Sequence, residues 1–312
     1  MEEDNLKFKK GLVSVVLPIY GDFDSRRAIL SVESIRNQKG IDFEIIVSEQ
    51  GELPKLKSEL PQDVKYIFNE HVPSRELSDF NPGLVRNLAI SNSEGEFIYT
   101  NDADILFLNE NYLAEGISLL RKNPILALHR PPMRRLPIEN FEHFWDMANK
   151  GGITLAMKSL DLSQPYLATT DGITRELKVV KKEGEYYQKT FTTSMDSFRR
   201  YLSDPFLKGK EPTIWTEDLH CGGNLLRKEH FEMVGRYCED FINWGCEDSD
   251  LQWKLMQTTE LGFFPYTKEF EVLHLDHERR YFSPEMWKRN ESIENDRKIM
   301  GIKEVIRRDL RR

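Results

Sequence analysis

The sequence predicts an α/β fold with a mostly parallel central sheet flanked by helices. Near-continuous apolar runs at Leu12 to Leu17 and Phe43 to Val47 have the form of strands buried on both faces. Segments with helical apolar spacing alternate with them between residues 12 and 130, as βαβ units require. A further β-prone run, Phe97 to Thr100, leads into Asp102 and Asp104. Open α/β sheets bind ligands at the carboxyl ends of their strands, so this pair marks the first candidate site.

Taken in order, the first strand stops at Pro18-Ile19-Tyr20-Gly21, which reads as a loop. Asp24 or Ser25 then caps a helix with Ala28, Ile29, Val32 and Ile35 on its apolar face, ending near Lys39-Gly40. Phe43 to Val47 is closed by Ser48-Glu49-Gln50-Gly51, and Val64 to Phe68 is a third strand. Pro82 sits in a helical first turn, with Leu84, Val85, Leu88 and Ala89 along one side. After the aspartates come a helix around Asn111 to Arg121 and a strand from Ile125 to His129. Residues 131–215 are less regular, either an insertion carrying substrate-facing loops or a surface excursion. No Gly-x-Gly-x-x-Gly follows the first strand and no Walker-type Gly-Lys-Ser/Thr occurs, which argues against a dinucleotide or P-loop site.

The 312 residues suffice for one large α/β domain or two ordinary ones. A net charge of −8 argues against a general nucleic-acid-binding surface. No run reaches the roughly 18 apolar residues of a membrane span, and the charged stretch Met1 to Lys10 does not read as a signal peptide. Cys221, Cys238 and Cys246 are odd in number and lack metal-site spacing, so a reduced, cytoplasmic protein is expected.

An Asp-x-Asp needs context, because roughly eight or nine such acid pairs arise by chance at this acid content. The carboxyl half supplies it. Gly222-Gly223 precedes an apolar strand and allows close backbone approach to a ligand. Glu247, Asp248 and Asp250 open a helix with Leu251 and Leu255 on its inner side, an ordinary capping pattern when taken alone. Trp244-Gly245 beside them offers a flat apolar platform for a sugar ring, and Asp248 is placed to act as a general base. His274 and His277 do not share a face of an extended segment, but a turn brings one or both to a metal. Together with the aspartates and diphosphate oxygens, one such histidine makes a Mn²⁺ shell.

In this order the motifs resemble a known family. The amino half is similar to family 2 glycosyltransferases in Val-Ser-Val-Val-Leu-Pro-Ile-Tyr, Glu44-Ile45-Ile46-Val47, Gly83-Leu84-Val85-Arg86-Asn87 and Asp102-Ala103-Asp104. The carboxyl half resembles β-1,4-galactosyltransferase and chondroitin-synthase domains in Gly222-Gly223, Gly235-Arg236-Tyr237, Trp244-Gly245-Cys246-Glu247-Asp248 and His274-Leu275-Asp276-His277. The resemblance implies a GT-A fold, Rossmann-like in its central sheet. It divides the chain into a nucleotide-sugar-binding half (1–130), variable acceptor loops (131–215), an acceptor-binding and catalytic half (216–285) and a C-terminal helix (286–312), all within one domain.

Carried over by position, Pro18, Ile19 and Tyr20 lie under the nucleotide. Glu49 stands where the family reads the base with aspartate, and Ser-Glu-Gln-Gly replaces the family's Asp-Asp-Gly-Ser. Arg86 reaches the diphosphate or structures the site. Asp102 faces ribose or metal, Ala103, Gly223 and Trp244 approach the donor, and Asp104 with His277, and His274 as an additional ligand, holds Mn²⁺ or Mg²⁺. Asp248 is the base and Glu247 binds acceptor hydroxyls. The implied reaction is inverting transfer of a hexose or N-acetylhexosamine from a UDP-sugar to a saccharide or lipid-linked saccharide. The alternatives are GDP-mannose as donor, or a non-catalytic carbohydrate-binding protein of the same fold. The basic tail Arg297 to Arg312, with Ile299, Ile302, Val305 and Ile306 at helical spacing, is either a helix packed on the domain or a peripheral dock on an anionic inner membrane face.

Overall fold

In this computed structural model, residues 8–21, 23–71, 80–160, 222–243, 245–265, 267–278 and 283–311 are described, together with the backbone of a hairpin of β8 (Lys178–Lys182) and β9 (Glu185–Thr190). The central sheet is built from β1 (Lys9–Tyr20), β2 (Phe43–Gly51), β3 (Lys65–Glu70), β4 (Gly95–Thr100), β6 (Leu126–His129), β10 (Asn224–Arg227) and β11 (Glu260–Phe263). Their spatial order is β11-β6-β10-β4-β1-β2-β3. All pairs are parallel except the two that β10 makes, with β4 and with β6. The expected parallel α/β sheet is therefore present, with one reversed strand wedged into its middle.

Alternation along β1 shows why both faces of this sheet need cover. Val13, Val15, Leu17 and Ile19 enter one apolar cluster with α1 (Ser25–Arg36) and α3 (Tyr112–Lys122). Val16 enters the opposite cluster with α2 (Pro82–Ser91), α6 (Lys228–Met233) and α7 (Glu247–Leu255). A second, three-stranded sheet in the order β5-β12-β7 is made by β5 (Ile105–Phe107), β12 (Val272–Leu275) and β7 (Met133–Leu136). Leu106, Leu273 and Leu275 from it pack on Leu30 and on Phe141 and Phe144 of α4 (Phe141–Gly151).

Several element readings change. Pro18-Ile19-Tyr20 is strand rather than loop, paired with Ser48-Glu49-Gln50. Proline is tolerated because β1 pairs with β4 only as far as Val16, so one edge of the strand is unladdered from there on. The first helix ends at Arg36, earlier than Lys39-Gly40, and its N-cap is Asp24, whose side chain accepts from the Arg26 N–H. Residues 133–136 and 141–158 are regular, contributing β7, α4 and α5 (Ile153–Lys158), so the irregular reading fails for the start of 131–215. The tail forms α8 (Pro284–Met300) and α9 (Ile302–Asp309). Among the described residues, no helix is long and apolar enough to cross a membrane.

Candidate active site

The turn after β4 sends its two aspartates to opposite sides. Buried Asn101 pins it, its N–H donating to the Val16 carbonyl and its Nδ2 to the Ile105 carbonyl. Ala103 packs its side chain into the core. Asp102 turns toward α2, where Arg86 Nη2 donates to its Oδ1 at 2.7 Å. Asp104 turns toward β12.

Around Asp104 the structure assembles a nitrogen–oxygen cluster. His277 Nε2 lies 2.8 Å and His274 Nε2 3.4 Å from the same oxygen, Asp104 Oδ2. Asp104, His274 and His277 each offer one ligand atom, all within 4.8 Å of one another. Asp102 is not in this group, so the structure does not bring it to Asp104 as a fellow metal ligand. Burial alone would lower the His274 pKa, but Asp104 and Asp276 raise it to about 9. Burial likewise would raise Asp104, yet the two imidazoles hold it well below the ordinary carboxylate value. The donor set fits a divalent cation, which would replace the protons these rings carry. Two imidazoles beside one carboxylate suit Mn²⁺ better than Mg²⁺, which prefers oxygen ligands.

The second cluster gathers at the amino end of α7. Arg86, 4% exposed, donates from Nη1 to Glu247 Oε1 at 3.0 Å and has Asp248 Oδ2 3.9 Å from Nη2. Three carboxylates thus surround one guanidinium. Burial pushes the Asp248 carboxyl well above its ordinary value; Arg86 opposes this, while Glu247 and Asp102 add to it. The Tyr237 hydroxyl donates to Asp248 Oδ1 at 3.2 Å. Arg86 is committed to this cluster, which favours its structuring role over direct reach to a diphosphate.

The loop entering α7 is conformationally demanding. Asn243, Gly245 and Cys246 all have φ in the left-handed region, at 60°, 106° and 75°. Buried Asn290 of α8 fixes it, its Nδ2 donating to the carbonyls of Ile242 and Gly245. A Cβ on Gly245 would lie 2.4 Å from the Trp287 ring. Trp244 lies outside the described residues.

The other candidate residues are placed as follows. Glu49 is buried; its carboxylate accepts from the Lys55 and Leu56 N–H groups and from the Tyr66 hydroxyl, so it braces the 52–56 loop. The close approach at Gly222-Gly223 is to the protein itself: Cβ atoms there would meet the Asp102 carboxylate at 2.8 Å and Pro131 at 2.6 Å. Pro18, Ile19 and Tyr20 are buried at the carboxyl end of β1, and Tyr20 packs on Phe80. Tyr237, Asn290, Asp276 and Arg27 join the site without an expected role. Tyr237 and Asp276 stand within the quoted motifs; Arg27 and Asn290 carry no local signal.

No family model matches the chain. Over 117 residues it is 31% identical to a protein of Rickettsia bellii (strain RML369-C) named as an uncharacterized glycosyltransferase. That stretch is 38% of this chain and only 16% of the relative's length. Among solved structures, the chain is similar to S. aureus TarS 1–349 in complex with UDP, with 14% identity and a TM-score of 0.47, covering 89% of this chain and 62% of that one. It is also similar to the mannosyltransferase PcManGT from Pyrobaculum calidifontis in complex with GDP-Man and Mn²⁺, with 15% identity and a TM-score of 0.47, covering 86% and 58%.

Proposed function

We propose that this chain is a metal-dependent, inverting glycosyltransferase that moves a hexose or N-acetylhexosamine from a UDP-sugar to a saccharide hydroxyl. The observation that carries the reading is the division of labour after β4. Asp104 turns to two imidazoles, while Asp102 turns to a guanidinium shared with Asp248 and Glu247. The motif order and the partial likeness to a protein named as a glycosyltransferase support it. A nucleic-acid partner remains disfavoured by the −8 charge.

In this reading Asp104 and His277, with His274 beside them, hold the cation, which supplies positive charge against a departing diphosphate. Asp248 takes the proton of the acceptor hydroxyl. A base of raised pKa is better matched to that transfer near neutral pH than an ordinary carboxylate. Arg86 keeps Asp248 and Glu247 together at the mouth of α7, and Glu247 orients the acceptor. Attack from the face opposite the leaving group inverts the anomeric centre through an oxocarbenium-like transition state, as in glycoside hydrolysis.

A donor screen tests this. Nucleoside-diphosphate release from UDP- and GDP-sugars, with saccharide acceptors and Mn²⁺, Mg²⁺ or EDTA, is compared for wild type and Asp248→Asn. Metal-dependent turnover of a UDP-sugar, lost in Asp248→Asn with donor binding retained, is the expected result. Turnover of a GDP-sugar alone moves the donor to GDP-mannose, and absence of donor binding in any metal overturns the reading.

A further inference from the structure

We propose that Asp276 is a positioning residue that commits His274 to the site as a second imidazole ligand, an inference that rests on the metal-holding role proposed for Asp104 and His277. His274 Nδ1 lies 2.6 Å from Asp276 Oδ1. An ionised carboxylate only accepts, so Nδ1 carries a proton and Nε2 is the nitrogen left for an ion. That Nε2 already faces Asp104 Oδ2 at 3.4 Å. His277 reaches the same polarity by another route, donating from Nδ1 to the Glu278 carbonyl at 2.8 Å. Both rings therefore present Nε2 to one point beside Asp104, a carboxylate–histidine arrangement that fixes ring and tautomer together.

Asp276 is itself anchored on three sides. Arg135 of β7 donates from Nη1 to the same Oδ1 at 2.9 Å. Arg27 of α1, buried and with its guanidinium carbon 3.7 Å from the centre of the Phe141 ring, donates from Nη2 to the Asp276 carbonyl at 2.8 Å and from Nε to the Leu275 carbonyl at 3.3 Å. The Leu275 N–H donates to the Asp104 carbonyl at 2.9 Å, and the Asp276 N–H to the Leu136 carbonyl at 3.0 Å. The segment carrying both imidazoles, the end of β12 and the residues after it, is thus tied directly to the backbone of the aspartate they face. A plain Arg135–Asp276 ion pair would not require the imidazole, yet the imidazole makes the shorter contact with that oxygen. The consequence is selectivity: with two nitrogen donors, the site favours Mn²⁺ over Mg²⁺.

Mn²⁺ alone, titrated into the full chain, tests this without donor or turnover. Pulsed EPR counts the imidazole nitrogens on the bound ion, and calorimetry gives its Kd. Wild type is expected to show two imidazoles. Asp276→Ala and His274→Ala are each expected to show one, with Kd raised about tenfold to hundredfold, the usual effect of losing such a support. Asp276→Asn keeps an acceptor for Nδ1 and is expected to retain two imidazoles with a smaller loss of affinity. One imidazole in wild type, two in Asp276→Ala with Kd within about twofold of wild type, or no Mn²⁺ binding overturns the inference. A protein that binds Mn²⁺ in the expected way but binds no nucleotide sugar overturns the transferase reading and leaves this one standing.

Discussion

Arg86 on α2 and Glu247 at the first turn of α7 are joined by a buried hydrogen-bonded ion pair across 161 residues of sequence. The pair fixes where the α7 carboxylates sit relative to Asp102, because the same guanidinium also holds that residue. Removing one partner of a buried ion pair strands the other, at a cost of about 3–5 kcal/mol. Arg86→Met is therefore expected to lower the denaturant midpoint by a corresponding amount. Arg86→Lys keeps the charge but loses the fork that reaches several carboxylates at once, so its loss is expected to be smaller yet measurable. An Arg86→Met midpoint equal to wild type would show that the cluster is not held this way.

Asp248 gives a pH prediction with a definite sign. Its folded pKa lies above the ordinary carboxylate value, chiefly through burial, so the proposed base is unprotonated only at higher pH than an exposed aspartate. The acid limb of kcat/KM is expected to fall above the usual carboxylate range. Tyr237→Phe removes a hydroxyl that donates to Asp248 and favours its charged form, so the limb is expected to move to higher pH. Stability runs the other way. A raised folded pKa contributes stability that is present below the unfolded value and lost as pH rises through the folded one. Asp248→Asn is accordingly expected to be more stable than wild type at neutral pH while losing turnover, a trade-off usual at catalytic positions. Chemical denaturation at pH 4 and pH 8 checks it, the gain appearing at the higher pH.

Much of the frame was legible in the sequence because it rests on apolar patterning. β1, β2, β4 and α2 follow the strand and helix runs directly, and Asp102 and Asp104 fall where a strand had to end. What patterning missed is polar. Glu49, Arg86 and Arg27 are charged residues turned inward, and nothing local in a sequence says which carbonyls or carboxylates will meet them. The tail is the clearest case. Of the expected apolar stripe Ile299, Ile302, Val305 and Ile306, Val305 is fully buried and Ile306 packs on the core, as a helix docked on the domain requires, but Ile299 is 85% exposed. The face of α8 that meets the α7 region is instead Trp287, Asn290, Glu294 and Arg297, at helical spacing and mostly polar. A search for hydrophobic periodicity cannot see such a face.

Metal removal supplies a third test. EDTA is expected to abolish turnover, with Mn²⁺ restoring it more fully than Mg²⁺, since two imidazoles face Asp104. His277→Ala removes the ring nearest that carboxylate and is expected to weaken Mn²⁺ binding at least as much as His274→Ala. Equal activity in Mn²⁺, Mg²⁺ and EDTA would remove the metal from the reaction.

The last prediction concerns the C-terminal helices, which bear on the site through buried charge. Arg297 of α8 donates from Nε and Nη2 to both Asp250 oxygens, and from Nη1 and Nη2 to Asp309 of α9. Lys254 donates to Asp309 and lies 3.6 Å from Asp250. Asp250 stands two residues after Asp248, so this network seats the helix that carries the proposed base. Arg297→Met is expected to cost about 3–5 kcal/mol, because it leaves two buried carboxylates to share the single ammonium of Lys254. Burial alone would raise the Asp309 pKa, but Arg297 and Lys254 hold it below the ordinary value. A lowered folded pKa contributes stability that is present above the unfolded value and lost as pH falls through the folded one. In Asp309→Asn the destabilisation relative to wild type is therefore expected to be full at pH 7 and to shrink under acid. Urea midpoints across that range decide it, and a difference independent of pH would mean the Asp309 charge is not what holds α9 to α7.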